Sequence, residues 1–347
     1  MTTAIELPVF ADARKLTHSR LACLASCPKK HWFRYELGMV SERSSTPLRM
    51  GAAVHNGLDA LASGMDMESA LTAATAPYAD VPTWCQSAED VADWCVEAAT
   101  VSAMVQGYRE RWGDIQFNVI AAEKEFNVPL RNPETSAASK TWTFAGKIDR
   151  IIRLDDGRLA VLETKTAGES IEPTSDYWTR LRIDNQISGY MIAARELGHN
   201  VECVIYDVLR KPAIRPKNIT KAERAAATAN GKYFDLPITE QCPERETPEM
   251  FGARLLADMR ERPDFYFARR EIARMASELV LFNGELWDEA KILRERQLSN
   301  RWRRNTGACI HPYPCEYQGP CWNGWDASDP MPDGFIRAEK VHAELEL

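Results

Sequence analysis

The chain has 347 residues, 45% of them hydrophobic and 27% charged, with a formal net charge of −7. That length fits one elaborated domain or two, and that composition supplies a substantial core. The negative balance excludes a uniformly basic nucleic-acid binder but leaves room for local basic patches. No apolar run approaches the roughly 18–20 residues needed to cross a bilayer. The N-terminal text, MTTAIELPVFADARK, lacks the basic start and apolar stretch of a signal peptide. The expectation is a cytoplasmic protein with no membrane contact.

Residues 16–38, LTHSRLACLASCPKKHWFRYELG, read as an aromatic-rich helical segment reset at Pro28. Thr46-Pro47 opens a helix that runs on through PLRMGAAVHNGLDALAS. Residues 88–112 predict a long helix, and the alternation from Val119 to Leu130 predicts a strand. A hairpin follows, roughly 141–153 and 158–166, around the turn DDGR. A helix near 183–197 ends at Gly198, and VECVIYDVLR at 201–210 predicts one more strand. Beyond it, Thr220 to Glu223 forms a capping box, Thr247-Pro248 starts another helix, and 268–304 reads as a long third one. This order predicts an α/β fold, a small mixed sheet wrapped by helices.

Charge is segregated along the chain. Residues 210–221, RKPAIRPKNITK, hold five basic residues and no acid, and residues 294–304 hold five arginines against one glutamate. RPDFYFARREIAR, at 262–274, mixes arginine with aromatics. That mixture suits either base stacking along a nucleic-acid strand or a buried aromatic cluster.

The hairpin GKIDRIIRLDDGRLAVLETKT, 146–166, carries Asp149, Glu163 and Lys165 where a buried strand would be apolar. Centring the loop near Asp156 brings Asp149 beside Glu163, and the two-residue spacing puts Glu163 and Lys165 on one face. Buried and unpaired, such charges would cost several kcal/mol each. Either a salt-bridge network at a sheet edge compensates them, or Asp149 and Glu163 hold a divalent cation, for which magnesium or manganese suits oxygen ligands.

Nine cysteines are an awkward count for a disulfide framework. Cys309, Cys315 and Cys321 cluster near the end, and Cys23 and Cys27 lie near the start, a distribution that suggests a metal site.

Taken in order, His55, GKID with Asp149, ETK with Glu163 and Lys165, and QISGY with Gln186 and Tyr190 resemble the RecB-type branch of the PD-(D/E)XK nuclease superfamily. The resemblance implies a restriction-endonuclease-like core with added helical regions, and metal-dependent cleavage of DNA, most simply as an exonuclease on single-stranded ends. It implies that His55, Asp149, Glu163 and the backbone carbonyl of Thr164 ligate the metal. Lys165 would orient or activate the attacking water, and Gln186 and Tyr190 would hold the strand. A subset of this branch closes a [4Fe–4S] cluster with one early cysteine in a C-P step and three late ones. SCPKKHWFRYELG matches at Cys27, with Cys309, Cys315 and Cys321 completing the set. The first late gap is five residues rather than the commoner C-x-x-C. Zinc is the rival metal, although no C-x-x-C pair of a zinc knuckle is present.

Such a cluster would clasp the chain's ends into a single nuclease domain over 1–347. Its parts would be an N-terminal segment 16–40, a core 46–212, a helical region 213–304, the cysteine cluster 305–325 and an acidic tail 326–347. With no G-x-x-x-x-G-K-[ST] segment, any unwinding would come from a helicase or recombination partner. The competing functions are a silent iron–sulfur assembly subunit and a structure-specific endonuclease or RNase on the same fold.

Overall fold

The structure is a computed structural model and describes residues 10–113, 117–239, 241–311, 313–342 and 345. The N-terminal nine residues, and the last part of the predicted acidic tail, lie outside them. Among the described residues no helix is long and apolar enough to cross a membrane.

The architecture is α/β, a mixed sheet flanked by helices on both faces. The sheet is built from β1 (Lys15–Leu16), β2 (Asn118–Arg131), β3 (Ala138–Arg153), β4 (Leu159–Ala167), β5 (Val201–Arg210) and β6 (Phe267–Ala273). Its order is β2–β3–β4–β5–β6. Within this order the β4–β5 pair is parallel and the other three are antiparallel, and β1 pairs in parallel with β3. The hairpin turn closes as its sequence requires. The Gly157 N–H donates to the Leu154 carbonyl (2.9 Å), and Gly157 adopts φ +90°, a region open to glycine at little steric cost.

That turn sets the register: Arg153 faces Leu159 and Arg150 faces Leu162. Beyond Arg150 the two strands part. One edge of β3 is paired with β2 through residues 143–153, while the other takes β1 at Thr143 and Phe144. The stretch between, ending at Asp149, opens as a fork between β3 and β4.

One face of the sheet packs against α4 (Asn185–Glu196) and α6 (Ala276–Ser299) through Ile187, Met191, Phe282 and Leu286. The other is covered by α2 (Thr46–Ala62), α3 (Ala88–Trp112) and α5 (Pro248–Glu261) through Val54, Leu58, Met104 and Leu255. Two glycines permit close approach near the fork. A Cβ on Gly146 would lie 2.5 Å from Phe126 Cζ, and one on Gly189 of α4 would lie 2.7 Å from Phe144 Cζ.

Two expectations need correction. The 268–304 helix is a strand, β6, followed by α6; FARREIA pairs along β5, with Arg269 opposite Asp207. Its arginine reaches the fully buried Asp207 (2.8 Å), which also accepts from Tyr108 (2.5 Å). A buried carboxylate needs those partners, and that need outweighs local helix propensity. RPDFYFARREIAR is therefore not an open stacking surface, since Tyr266 and Phe267 are in the core. The 16–38 segment is also more divided than expected: α1 (His18–Ser26), a short turn of helix at Pro28–His31, and a π-helical turn over Trp32–Glu36.

Candidate active site and cysteine cavity

The fork gathers the hairpin's charges. Asp149 lies one residue beyond the last β3–β4 pair and accepts a hydrogen bond from the Thr164 N–H through Oδ2 (2.9 Å). In a strand the N–H and C=O of one residue point the same way, so the Thr164 carbonyl also faces the fork. On β4, Glu163 is 3% exposed, its Oε1 lies 2.6 Å from Lys165 Nζ, and its Oε2 is buried without a hydrogen-bond partner. Lys165 Nζ also donates to Gln186 Oε1 (2.7 Å), and Gln186 Nε2 donates to the Tyr190 hydroxyl (2.8 Å). Their i, i+4 spacing on α4 makes that last contact possible. His55, on α2, places Nδ1 3.9 Å from Asp149 Oδ2.

Electrostatics follow from this geometry. Burial, then the Asp149 carboxylate, pushes the Glu163 carboxyl up to about 8, against the pull of Lys165. Burial opposes the Lys165 charge, but Glu163, Asp149 and Asp184 together hold its ammonium above the ordinary lysine value. Burial, then the Glu163 and Asp149 carboxylates, keep the Tyr190 phenol protonated well beyond its usual range.

The structure adds Asp184, Asp59 and His18, to which no sequence motif pointed, and places Glu123 and Glu125, which the sequence offers as outer ligands or as ordinary strand acids. Asp184 caps α4 by accepting from the Gln186 N–H (2.8 Å) and also meets Tyr206 (3.4 Å) and His18 (3.8 Å). An aspartate directly before a helix is a readable cap signal; His18, distant in sequence, leaves none. Asp59, one turn after His55, pairs with Arg150 and ties α2 across the fork. Glu123, at φ +47°, pairs with Lys147. Its carboxyl is raised by burial first, with Asp59 and Asp149 adding to it and Lys147 opposing. Glu125, on the same strand, faces Lys147 in the ladder.

At the far end of α1, Cys27, Cys309, Cys315 and Cys321 line one small cavity. All four are half-buried free thiols. The cavity is held by chain ends: the Lys29 N–H donates to the Arg303 carbonyl (3.1 Å), the Asn305 N–H to Cys27 Sγ (3.4 Å) and the Tyr317 hydroxyl to the Met39 carbonyl (2.7 Å). Cys23 lies outside that lining, and burial pushes its thiol up to about 12. Among the described residues no three His, Cys, Asp or Glu side chains converge on the position of a single ion.

A family model described as the PD-(D/E)XK nuclease superfamily matches residues 15–319. No curated protein matches this chain. Two solved structures are similar in part. One is the crystal structure of SSO0001, at 15% identity and TM-score 0.25, covering 72% of this chain and 76% of that one. The other is that of a "putative exonuclease" from Eubacterium rectale, at 10% identity and TM-score 0.43, covering 93% and 92%. Neither likeness is close enough to carry an argument about activity.

Proposed function

Because the chain belongs to the PD-(D/E)XK nuclease superfamily, we propose that it is a metal-dependent deoxyribonuclease of the RecB-type branch, an exonuclease acting on single-stranded ends. The observation that carries this reading is the Lys165 ammonium held between Glu163 and Gln186 beside a buried, unpartnered carboxylate oxygen. A salt-bridge network alone would leave that oxygen's desolvation uncompensated.

The oxygen donors Asp149 and Glu163 are of the type that suits a magnesium or manganese ion. Asp149 and Glu163 would hold it, with His55 and the Thr164 carbonyl on the same edge of the fork. A bound divalent cation supplies Lewis-acid stabilisation of phosphoryl oxygens and makes water more acidic. The protein's own groups do the rest. Lys165, held protonated, donates to a phosphate oxygen as negative charge builds there, and serves as a fixed cation rather than as a base. Gln186 holds Lys165 in place, and Tyr190, still protonated, fixes Gln186. Hydrolysis joins water oxygen to phosphorus, breaks one ester P–O bond and returns a proton to the departing oxygen.

The four half-buried thiols fit an iron–sulfur cluster better than zinc. A cluster of four irons and four sulfides is itself several ångströms across and spreads its thiolates farther than a single ion does. That suits four cysteines spread around the lining of one cavity. Cys27 and the three late cysteines would tie the ends of a single nuclease domain to its core, and binding there is folding free energy.

The test uses anaerobically purified protein with manganese. End-labelled linear and circular single-stranded DNA are compared, with Glu163→Ala alongside. Loss of the linear form alone, with the variant at least about a thousandfold slower, is expected. Cleavage of the circle would make it an endonuclease, and unchanged activity in Glu163→Ala would remove the fork as the active site. No cleavage of either form favours the silent-subunit reading, or a need for a helicase partner.

A further inference from the structure

The aromatic side chains most open to water lie on the cysteine lobe. Tyr313 is 80% exposed and Trp322 is 61% exposed; among the exposed large hydrophobics only Phe234, at 45%, is also aromatic. Trp322 lines the mouth of the cysteine cavity with Arg304, Lys29 and Lys30, and Tyr313 sits on the loop between two residues lining that cavity, Cys309 and Cys315.

Charge coincides with these rings. Segments 27–35 and 300–322 carry Lys29, Lys30, Arg34, Arg301, Arg303 and Arg304 against Glu316 alone, on a chain of net charge −7. Lys30 is occupied by Glu316 (3.5 Å), and Lys29 stands 3.5 Å over the Trp32 ring. Arg301, Arg303 and Arg304 are exposed, and among the described residues no carboxylate pairs with them. Arginines here could simply offset the charge of thiolates in the cavity. That account gives no reason for two neutral rings to face water, whereas base stacking does.

We propose that the cysteine lobe is a docking surface for single-stranded nucleic acid, with Trp322 and Tyr313 stacking on bases and Arg301, Arg303 and Arg304 following the phosphates. This rests on the nuclease reading and extends it from the cut to the strand beyond it. The lobe and the fork are joined by α1, from His18 beside Asp184 to Ser26 beside Cys27. Its 9 residues span about 14 Å at 1.5 Å per residue, or about four stacked nucleotides at 3.4 Å each. A four-nucleotide strand is about as long as α1, and a 20-mer is about five times as long.

The experiment measures binding of a labelled 20-nucleotide oligothymidylate by anisotropy, without divalent cations. It compares the full chain, Trp322→Ala/Tyr313→Ala and Arg303→Glu/Arg304→Glu. The aromatic pair is expected to weaken binding about tenfold or more. The arginine pair should lower the slope of log affinity against log salt by about 0.7 for each phosphate it no longer neutralises. Cleavage of the 20-mer should fall with binding, whereas kcat/KM on a four-nucleotide substrate should not change. Tyr313→Ala alone, at a side chain that holds nothing in the fold, guards against a loss caused by unfolding. Binding unchanged in all variants, or short and long substrates falling equally, would overturn the proposal; so would a wild-type protein that does not bind the oligomer. Wild-type cleavage with unaltered variant binding would sink the docking surface and leave the nuclease standing. Binding through Trp322 without any cleavage would do the reverse. If the rings instead receive a protein partner, the oligomer affinity will not respond to them.

Discussion

The fork and the cysteine lobe are both functional candidates, but they are built differently. In the fork, the charged groups project from strands whose backbone is already paired: β4 is bonded to β5 along its whole length, with Glu163 opposite Tyr206 and Lys165 opposite Val208. The lobe is built from short pieces, among them helical turns at Pro28–His31 and Thr306–Ala308, a π-helical turn, a five-residue helix and a three-residue strand pair, packed on a small cluster with Phe33, Met39 and Tyr317 at its centre. A site carried by a sheet keeps its shape when a side chain is changed. A site carried by loops depends on whatever its side chains bind.

Removing one group from each separates them most sharply. Glu163→Gln should abolish cleavage yet leave any visible absorbance, and the melting temperature at pH 5 where Glu163 is protonated, nearly unchanged. Cys27→Ala should do the opposite first, bleaching the protein and lowering its melting temperature by about 10 °C or more, because a shared thiolate is folding free energy. Equal thermal losses in the two variants would erase the distinction. A coloured, stable Cys27→Ala protein would take Cys27 out of the lobe's centre.

A smaller effect sharpens the account of the fork alone. The folded Glu163 carboxyl, pushed up to about 8 by burial and by Asp149, stands above its unfolded value of about 4.3. The native state therefore binds more protons across that window, and the metal-free protein should lose stability as pH rises through it. Thermal melts between pH 5 and pH 8 should show this fall, by several degrees. The slope should flatten in Glu163→Gln; the same slope in both proteins would contradict the burial of an unpaired Glu163 oxygen.

The smallest expected effect lies at the contact that seats α4 on the sheet. Gly189→Ala sets a Cβ against the buried Phe144 ring, at a cost of about 1–3 kcal/mol. Denaturant melts should register it, and activity should fall with it, because α4 carries Gln186 and Tyr190. Full stability in this variant would mean that the ring can move aside and that the helix is less tightly positioned than the fork.

Much of the fold was legible in the sequence for local reasons. The DDGR turn and strand alternation predicted the hairpin, its register and the approach of Asp149 to Glu163. The cap signals at Thr220 and Thr247 predicted helices that the structure contains, and both side chains accept the expected backbone hydrogen bonds. Strand β6 was not legible, because FARREIA runs into a helix-forming stretch with no turn residue between. Its extended form goes with pairing all along β5, where Arg269 meets Asp207, a residue about sixty positions earlier. The ordered set from His55 to Tyr190 pointed to the fork, but not to Asp59, His18 or Asp184.

By itself, the sequence determined which elements form, which charges share a strand face and which cysteines stand near one another along the chain. Those properties depend on turn chemistry and on the periods of helix and strand. Only the tertiary structure decided that β3 and β4 part beyond Arg150, that one Glu163 oxygen is left buried and unpartnered, and that Cys27 meets residues almost three hundred positions away. Each of these depends on the desolvation of particular groups by chain segments remote in sequence, which no local pattern encodes.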